Sequence, residues 1–85
     1  MYQINFNPKA LKEFNKLEKD LQKRIINSLE RIRIKPERYV IKLIGNFGYR
    51  LRIGDYRIIM DIYKEKSVIL VTKIGHRKNI YQDLD

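Results

Sequence analysis

The chain has 85 residues, with 19 Lys+Arg against 10 Asp+Glu, one histidine and no cysteine, giving a formal charge of +9. That length holds one small domain, residues 1–85, and excludes a two-domain enzyme; the missing cysteines exclude disulfides and Cys-based zinc sites, and one histidine excludes a His-cluster metal centre. A hydrophobic share of 44% is too high for a disordered basic tail, no apolar run approaches the ~20 residues of a membrane span, and the N-terminus does not resemble a signal peptide. A cytoplasmic protein with no membrane partner is expected. The positive excess points to an anionic partner, nucleic acid first and an acidic protein second.

Residues 2–6 (Tyr-Gln-Ile-Asn-Phe) alternate as a half-buried strand does. Asn7-Pro8 reads as a helix start, with Asn as N-cap and Pro at the first helical position, where its missing N–H costs nothing. Leu11, Phe14, Leu17, Leu21, Ile25, Leu29 and Ile32 then form one apolar stripe at helical spacing. One helix of about 26 residues would be roughly 39 Å long at 1.5 Å per residue. The strands that follow would reach only about 20–25 Å, so a single helix would overhang them. A helical hairpin broken near Glu18–Leu21, with Asp20 as the second N-cap, is expected instead.

Pro36 ends the helical region, because the residue before a proline avoids helical geometry. Residues 37–47, with Gly45-Asn46, read as a connecting loop. Tyr49–Ile53, Tyr56–Tyr63 and Val68–Ile74 are rich in branched and aromatic residues and read as strands. The order β-α-α-β-β-β, closed by a short terminal helix, predicts an α+β fold with both helices on one face of a mainly antiparallel sheet.

Gly54-Asp55 suits a two-residue hairpin turn. Such a turn sets Ile53 opposite Tyr56, Arg52 opposite Arg57, Leu51 opposite Ile58 and Arg50 opposite Ile59. Because strand side chains alternate, Tyr49, Leu51, Ile53, Tyr56, Ile58, Met60 and Ile62 form a core face. The other, open face carries Arg50, Arg52, Arg57, Ile59 and Asp61. Like charges directly across a strand pair repel at a cost of a few tenths to about 1 kcal/mol, so three arginines there suggest an anion site rather than a solvated face with mixed charges. Asp61 is available on that face to neutralise one of them. An odd-numbered loop at Lys64–Ser67 would place Lys73 on this basic face; an even one would press it against the helices, at a cost of several kcal/mol for an unpaired buried ammonium. The first is expected. Gly75 then lets the chain turn at the end of the last strand, bringing Arg77 and Tyr81 near the strand edge.

The run Tyr49-Arg50-Leu51-Arg52-Ile53-Gly54-Asp55-Tyr56-Arg57, followed by Gly75-His76-Arg77-Lys78-Asn79-Ile80-Tyr81, resembles the RelE branch of the RelE/ParE toxin superfamily. The likeness extends over essentially the whole chain, including Leu11-Lys12-Glu13-Phe14 and Lys16-Leu17. It implies the toxin of a type II toxin–antitoxin pair: a metal-independent endoribonuclease, without cofactor, that cuts messenger RNA in the ribosomal decoding site. Its partners would be the ribosome, mRNA and an acidic, partly helical RelB-like antitoxin. By the same resemblance Arg50 and Arg52 match two basic residues of the first hairpin strand, and Arg57 the arginine that supports the scissile phosphate. Arg77 matches a second arginine that donates a proton or stabilises charge, and Tyr81 a tyrosine that stacks on or orients a nucleotide.

The chemistry this implies is attack by the RNA's own 2′-hydroxyl on the adjacent phosphate, with protein groups aligning it and stabilising charge. Relatives often carry lysine where Arg50 or Arg52 stands, and arginine stays protonated at any relevant pH. The general base is therefore open: either ribosomal RNA supplies part of the catalysis, or the rate is lower, or Arg50 and Arg52 only position the phosphate. His76 has a suitable ordinary pKa but is expected to face solvent beside a glycine at a strand end, and Asp61, among cations, is a poorer candidate still. Two other classes compete: a ParE-like toxin directed at DNA gyrase, and a basic RNA-binding module without activity. The latter would need aromatic residues on the open sheet face, where the sequence puts arginines.

Overall fold

The computed structural model describes residues 1–45 and 48–80. In chain order it contains β1 (Gln3–Phe6), α1 (Pro8–Asn15), α2 (Lys19–Ile32), a 3-10 turn at Pro36–Arg38, β2 (Ile41–Lys42), β3 (Tyr49–Ile53), β4 (Tyr56–Tyr63) and β5 (Val68–His76). The strands form one sheet in the order β1-β5-β4-β3-β2. β1 runs parallel to β5 and every other pair is antiparallel. This is the α+β arrangement expected, with one more strand: β2 lies in the segment read as loop and pairs Ile41 with Arg50 and Lys42 with Tyr49. Two residues are too few to show an alternating pattern in sequence. Neither helix among the described residues is long and apolar enough to cross a membrane.

Asn7 caps α1 as expected, its side-chain oxygen accepting from the Ala10 amide at 2.8 Å. The helical break falls earlier than predicted. Lys16 N donates to Glu13 O and Leu17 N to Phe14 O, so the last turn of α1 tightens to i→i−3 bonding and stops the helix without a glycine. Gln22 of α2 reaches back, its Nε2 donating to Phe14 O at 2.9 Å, a second bond on the carbonyl that already accepts from Leu17 N, which ties α2 to the end of α1. Glu18 occupies the N-cap position of α2 without a side-chain bond, and Asp20 is not the cap. It sits inside the first turn, where a carboxylate favours the positive end of the helix dipole.

The core lies between the helices and the sheet: Ala10, Ile25, Leu29 and Ile32 pack with Leu51, Ile53, Ile58, Met60, Ile69, Val71 and Ile74. Phe14, Leu17 and Leu21 border it, but Leu11 is 47% exposed and Ala10 takes its place against the sheet. α1 is short and crosses β5 closely, so the smaller side chain occupies the contact. Glu13, on the same helix, accepts from the Ile74 amide at 3.0 Å. β1 ends at the level of Val71, so this carboxylate covers the β5 edge that β1 leaves open.

Candidate active site

The β3–β4 hairpin has the predicted register: Ile53 pairs with Tyr56, Arg52 with Arg57, Leu51 with Ile58 and Arg50 with Ile59. Gly54 has φ +56° while Asp55 is not left-handed, the φ pattern of a type II′ turn. Arg50, Arg52 and Arg57 therefore share the face turned away from the helices, on adjoining rows of the sheet. Ile59 and Asp61 extend the same face along β4.

Lys73 joins this face, though not by the expected route. The β4–β5 loop has four residues, an even number, because Tyr63 pairs with Val68. A continuous ladder would then set Lys73 beside Ile58, under the helices. The register shifts between Ile59 and Met60, so that Ile59 faces Lys73 and Met60 faces Val71. Thr72 is the extra residue, and its hydroxyl donates to Ile59 O at 3.2 Å. One bulge inverts the facing of the strand beyond it and carries the ammonium out of the apolar core.

The face is not open along its whole length. Arg57 is 8% and Lys73 6% exposed, while Ile59 and Ile80 are both at 1% and lie outside the helix-side core. After β5, Ile80 returns to this face at Gly75. Gly75 does not turn the strand as expected: it lies inside β5, paired with Arg57. Its lack of a side chain makes room for Ile80, whose Cδ1 would come within 2.8 Å of a Cβ at that position. Only Arg52 among the hairpin arginines is exposed; Arg50 is half-buried.

Three cationic residues gather at the hairpin turn. The Arg57 guanidinium donates through Nη1 to Gly54 O at 2.9 Å and Tyr56 O at 3.0 Å. Arg77 follows β5, its amide donating to Asp55 O at 2.7 Å and its Nε lying 3.7 Å from Asp55 Oδ1. Arg52 stands across the ladder from Arg57. Arg57 thus has its Nη1 committed to the turn and fixes it, whereas Arg52 and Arg77 present their charge to solvent. Asp61 is on the same face but pairs with none of these arginines. Asp55 was not singled out in the sequence, where it reads only as a turn residue; its carbonyl is what ties Arg77 to the hairpin.

His76 is on the other side. It pairs with Tyr56, and the two rings meet edge to face with centroids 5.5 Å apart. Its Nδ1 accepts from the Lys78 amide at 3.2 Å. Strand alternation puts Gly75 with the arginines and His76 with the helix side, so this imidazole lies on the opposite face of the sheet from the hairpin arginines. Tyr81 lies outside the described residues, and the short helix expected after the last strand is not among the described elements.

A family model described as the ParE toxin of the type II toxin–antitoxin system parDE matches residues 4–81. The mRNA interferase toxin RelE of Escherichia coli K12 is 32% identical over 84 residues, covering 91% of this chain and 84% of that protein. The chain belongs to the RelE branch of the RelE/ParE toxin superfamily. Solved relatives agree in fold: the intact E. coli RelBE toxin–antitoxin complex matches with a TM-score of 0.78 at 27% identity, over 89% of this chain and 96% of that one. The archaeal RelE–RelB complex from Pyrococcus horikoshii matches with a TM-score of 0.76 at 29% identity, over 89% and 94%. As a RelE-branch toxin, the chain carries arginine at both hairpin positions 50 and 52, and brings Arg52, Arg57 and Arg77 to one end of the sheet.

Proposed function

We propose that this toxin is a metal-independent endoribonuclease that cleaves messenger RNA on the ribosome, and that a RelB-like antitoxin holds it inactive. The gathering of Arg52, Arg57 and Arg77 around the Gly54-Asp55 turn carries this reading. In the reaction the 2′-oxygen bonds to the adjacent phosphorus and the bond from phosphorus to the 5′-oxygen breaks. The products are a 2′,3′-cyclic phosphate and a 5′-hydroxyl, with the proton of the 2′-hydroxyl lost and one gained at the 5′-oxygen. RNA supplies the nucleophile, so the protein's tasks are alignment and stabilisation of charge on the pentacoordinate phosphate. Arg52 and Arg77 offer unengaged N–H groups to those oxygens, and Arg57 holds the turn between them in place. Removing one such donor typically costs about 10²–10³ in rate. Arg50 extends the cationic row, and Tyr81 supplies a stacking surface for an unpaired base.

Two kinds of relatives support the partners: a curated mRNA interferase, and complexes in which RelE is bound to RelB. The test is induced expression of the wild type beside Arg52→Ala and Arg77→Ala, with primer extension mapping on a translated message. Both residues are exposed, so neither change threatens the fold. Cuts inside reading frames that disappear in both variants are expected. Growth arrest with intact messages would overturn the reading and favour the gyrase-directed branch, to which the matching family description also extends.

A further inference from the structure

The apolar stripe of α2 accounts for Leu21, Ile25, Leu29 and Ile32, but one flank of that helix has no role in the core. Arg24, Asn27, Ser28 and Arg31 line a cleft of about 340 Å³ whose other wall is Arg52, Ile53 and Gly54 at the end of β3. The cleft exists because β2 covers only Tyr49 and Arg50, leaving the last residues of β3 as an uncovered sheet edge. Arg24 and Arg31 are seven residues apart, two helical turns, and stand along that edge over roughly 10 Å. Gly54 keeps the entrance clear: a Cβ there would lie 3.1 Å from Arg24 Nη2.

The chemistry of the lining is one-sided. Among the described residues, Arg24, Arg31 and Arg52 take part in no ion pair or side-chain hydrogen bond, while Glu30 on the same helix is taken by Arg33 at 2.9 Å. Guanidinium groups only donate, so a cleft holding Arg24 and Arg31 with the Asn27 amide and the Ser28 hydroxyl is suited to an oxyanion. Residues 52–54 are also where Arg57 and Arg77 gather. An RNA strand with its scissile phosphate at the hairpin turn would pass this edge next.

We propose that the Arg24–Arg31 cleft binds a backbone phosphodiester of the strand being cut, one that neighbours the scissile phosphate. The site rests on the ribonuclease reading above and sets how the substrate is aligned, while the reacting atoms stay with Arg52 and Arg77. Its loss weakens binding uniformly across sequences, because phosphate contacts position without reading bases.

The test measures fluorescence anisotropy of a labelled single-stranded RNA with 2′-O-methyl riboses, which cannot be cleaved, against the full-length toxin. Arg24→Gln/Arg31→Gln should weaken binding about tenfold or more and flatten the dependence of log affinity on log salt by about 0.7 for one phosphate. Lys64→Gln/Lys66→Gln, an equal loss of charge at the far hairpin tip, should change affinity by less than about threefold. Arg31→Gln alone, away from Gly54, keeps the test valid should Arg24→Gln fail to fold, and should give a smaller loss in the same direction. Unchanged affinity and salt slope in a folded variant, with cleavage by the wild type intact, would overturn the cleft and leave the ribonuclease reading standing. A wild type that neither binds nor cuts RNA would overturn both. Loss confined to ribosome pelleting would move the site to ribosomal RNA, and loss confined to antitoxin affinity would make it a protein-docking cleft; either result overturns the assignment to the cut strand.

Discussion

The β3–β4 hairpin is a single piece of backbone with two unlike faces. On the helix side, Leu51, Ile53, Ile58 and Met60 are buried among branched side chains from α2 and β5. On the other side, Arg57, Ile59 and Lys73 are buried too, and the turn after β5 is anchored there by Ile80 on Gly75 and by the Arg77 amide on Asp55. The first face is held by area removed from water, which is non-directional and tolerant of detail. The second depends on a few directed contacts among like charges. A strand can thus give its stability to one side and its chemistry to the other, with the division set by a two-residue period.

Four substitutions can break or sharpen that contrast. Ile58→Ala removes a fully buried side chain from the helix-side core and should lower stability by about 2–5 kcal/mol in denaturant titration. A loss under 1 kcal/mol would mean that this face is not the chief source of stability. Arg57→Ala removes the brace of the turn between Arg52 and Arg77 and should reduce cleavage about 10²-fold by misplacing them, with a stability loss of about 1.5–3 kcal/mol from the two carbonyl bonds of its buried guanidinium. An unchanged melting temperature with lost cleavage would show those bonds contribute nothing, and a variant that fails to fold would make Arg57 a structural residue first.

Gly75→Val places a branched side chain where Ile80 packs, at an expected cost of about 1–3 kcal/mol. Hydrogen exchange should show the Arg77 amide, bonded to Asp55 O, losing protection while the β4 amides keep theirs. Full protection at Arg77 would mean that the terminal turn does not rest on the sheet. The smallest effect is expected at the β4–β5 loop, remote from both faces. Ser67 has φ +54°, so Ser67→Gly should raise stability by a few tenths to about 1 kcal/mol in thermal melts, and a decrease would show that the side chain outweighs the strain.

Much of this molecule was legible without coordinates. Asn7-Pro8 marked a capped helix start, Gly54-Asp55 fixed the hairpin register, and alternation sorted its arginines from its apolar residues. Each signal is local, set within a few residues by sterics or by strand period. The resemblance of the arginine-bearing segments to RelE toxins is likewise a matter of sequence. What misled were features that depend on a neighbour. The break between the helices sits at Lys16–Glu18 because α1 tightens and Gln22 reaches back to Phe14, and Asp20 only looked like a cap. β2 exists because β3 offers it an edge. Arg24 and Arg31 could have been noticed by their seven-residue spacing beside the apolar stripe, but nothing in sequence says which element that flank meets.

By itself, then, the sequence determined the element types, the faces of the central hairpin and the basic residues that make up the candidate site. The tertiary structure alone decided how Lys73 joins those arginines: the burial cost of an ammonium pointed to that face, but a bulge at Thr72, not the loop length, puts it there. It also decided that His76 stays with Tyr56 on the helix side, that Gly75 is a seat for Ile80 rather than a hinge, and that Arg57 braces the turn. Propensity and periodicity act within one segment. Register, burial and charge convergence arise between segments distant in the chain, and take definite values only once the strands are paired.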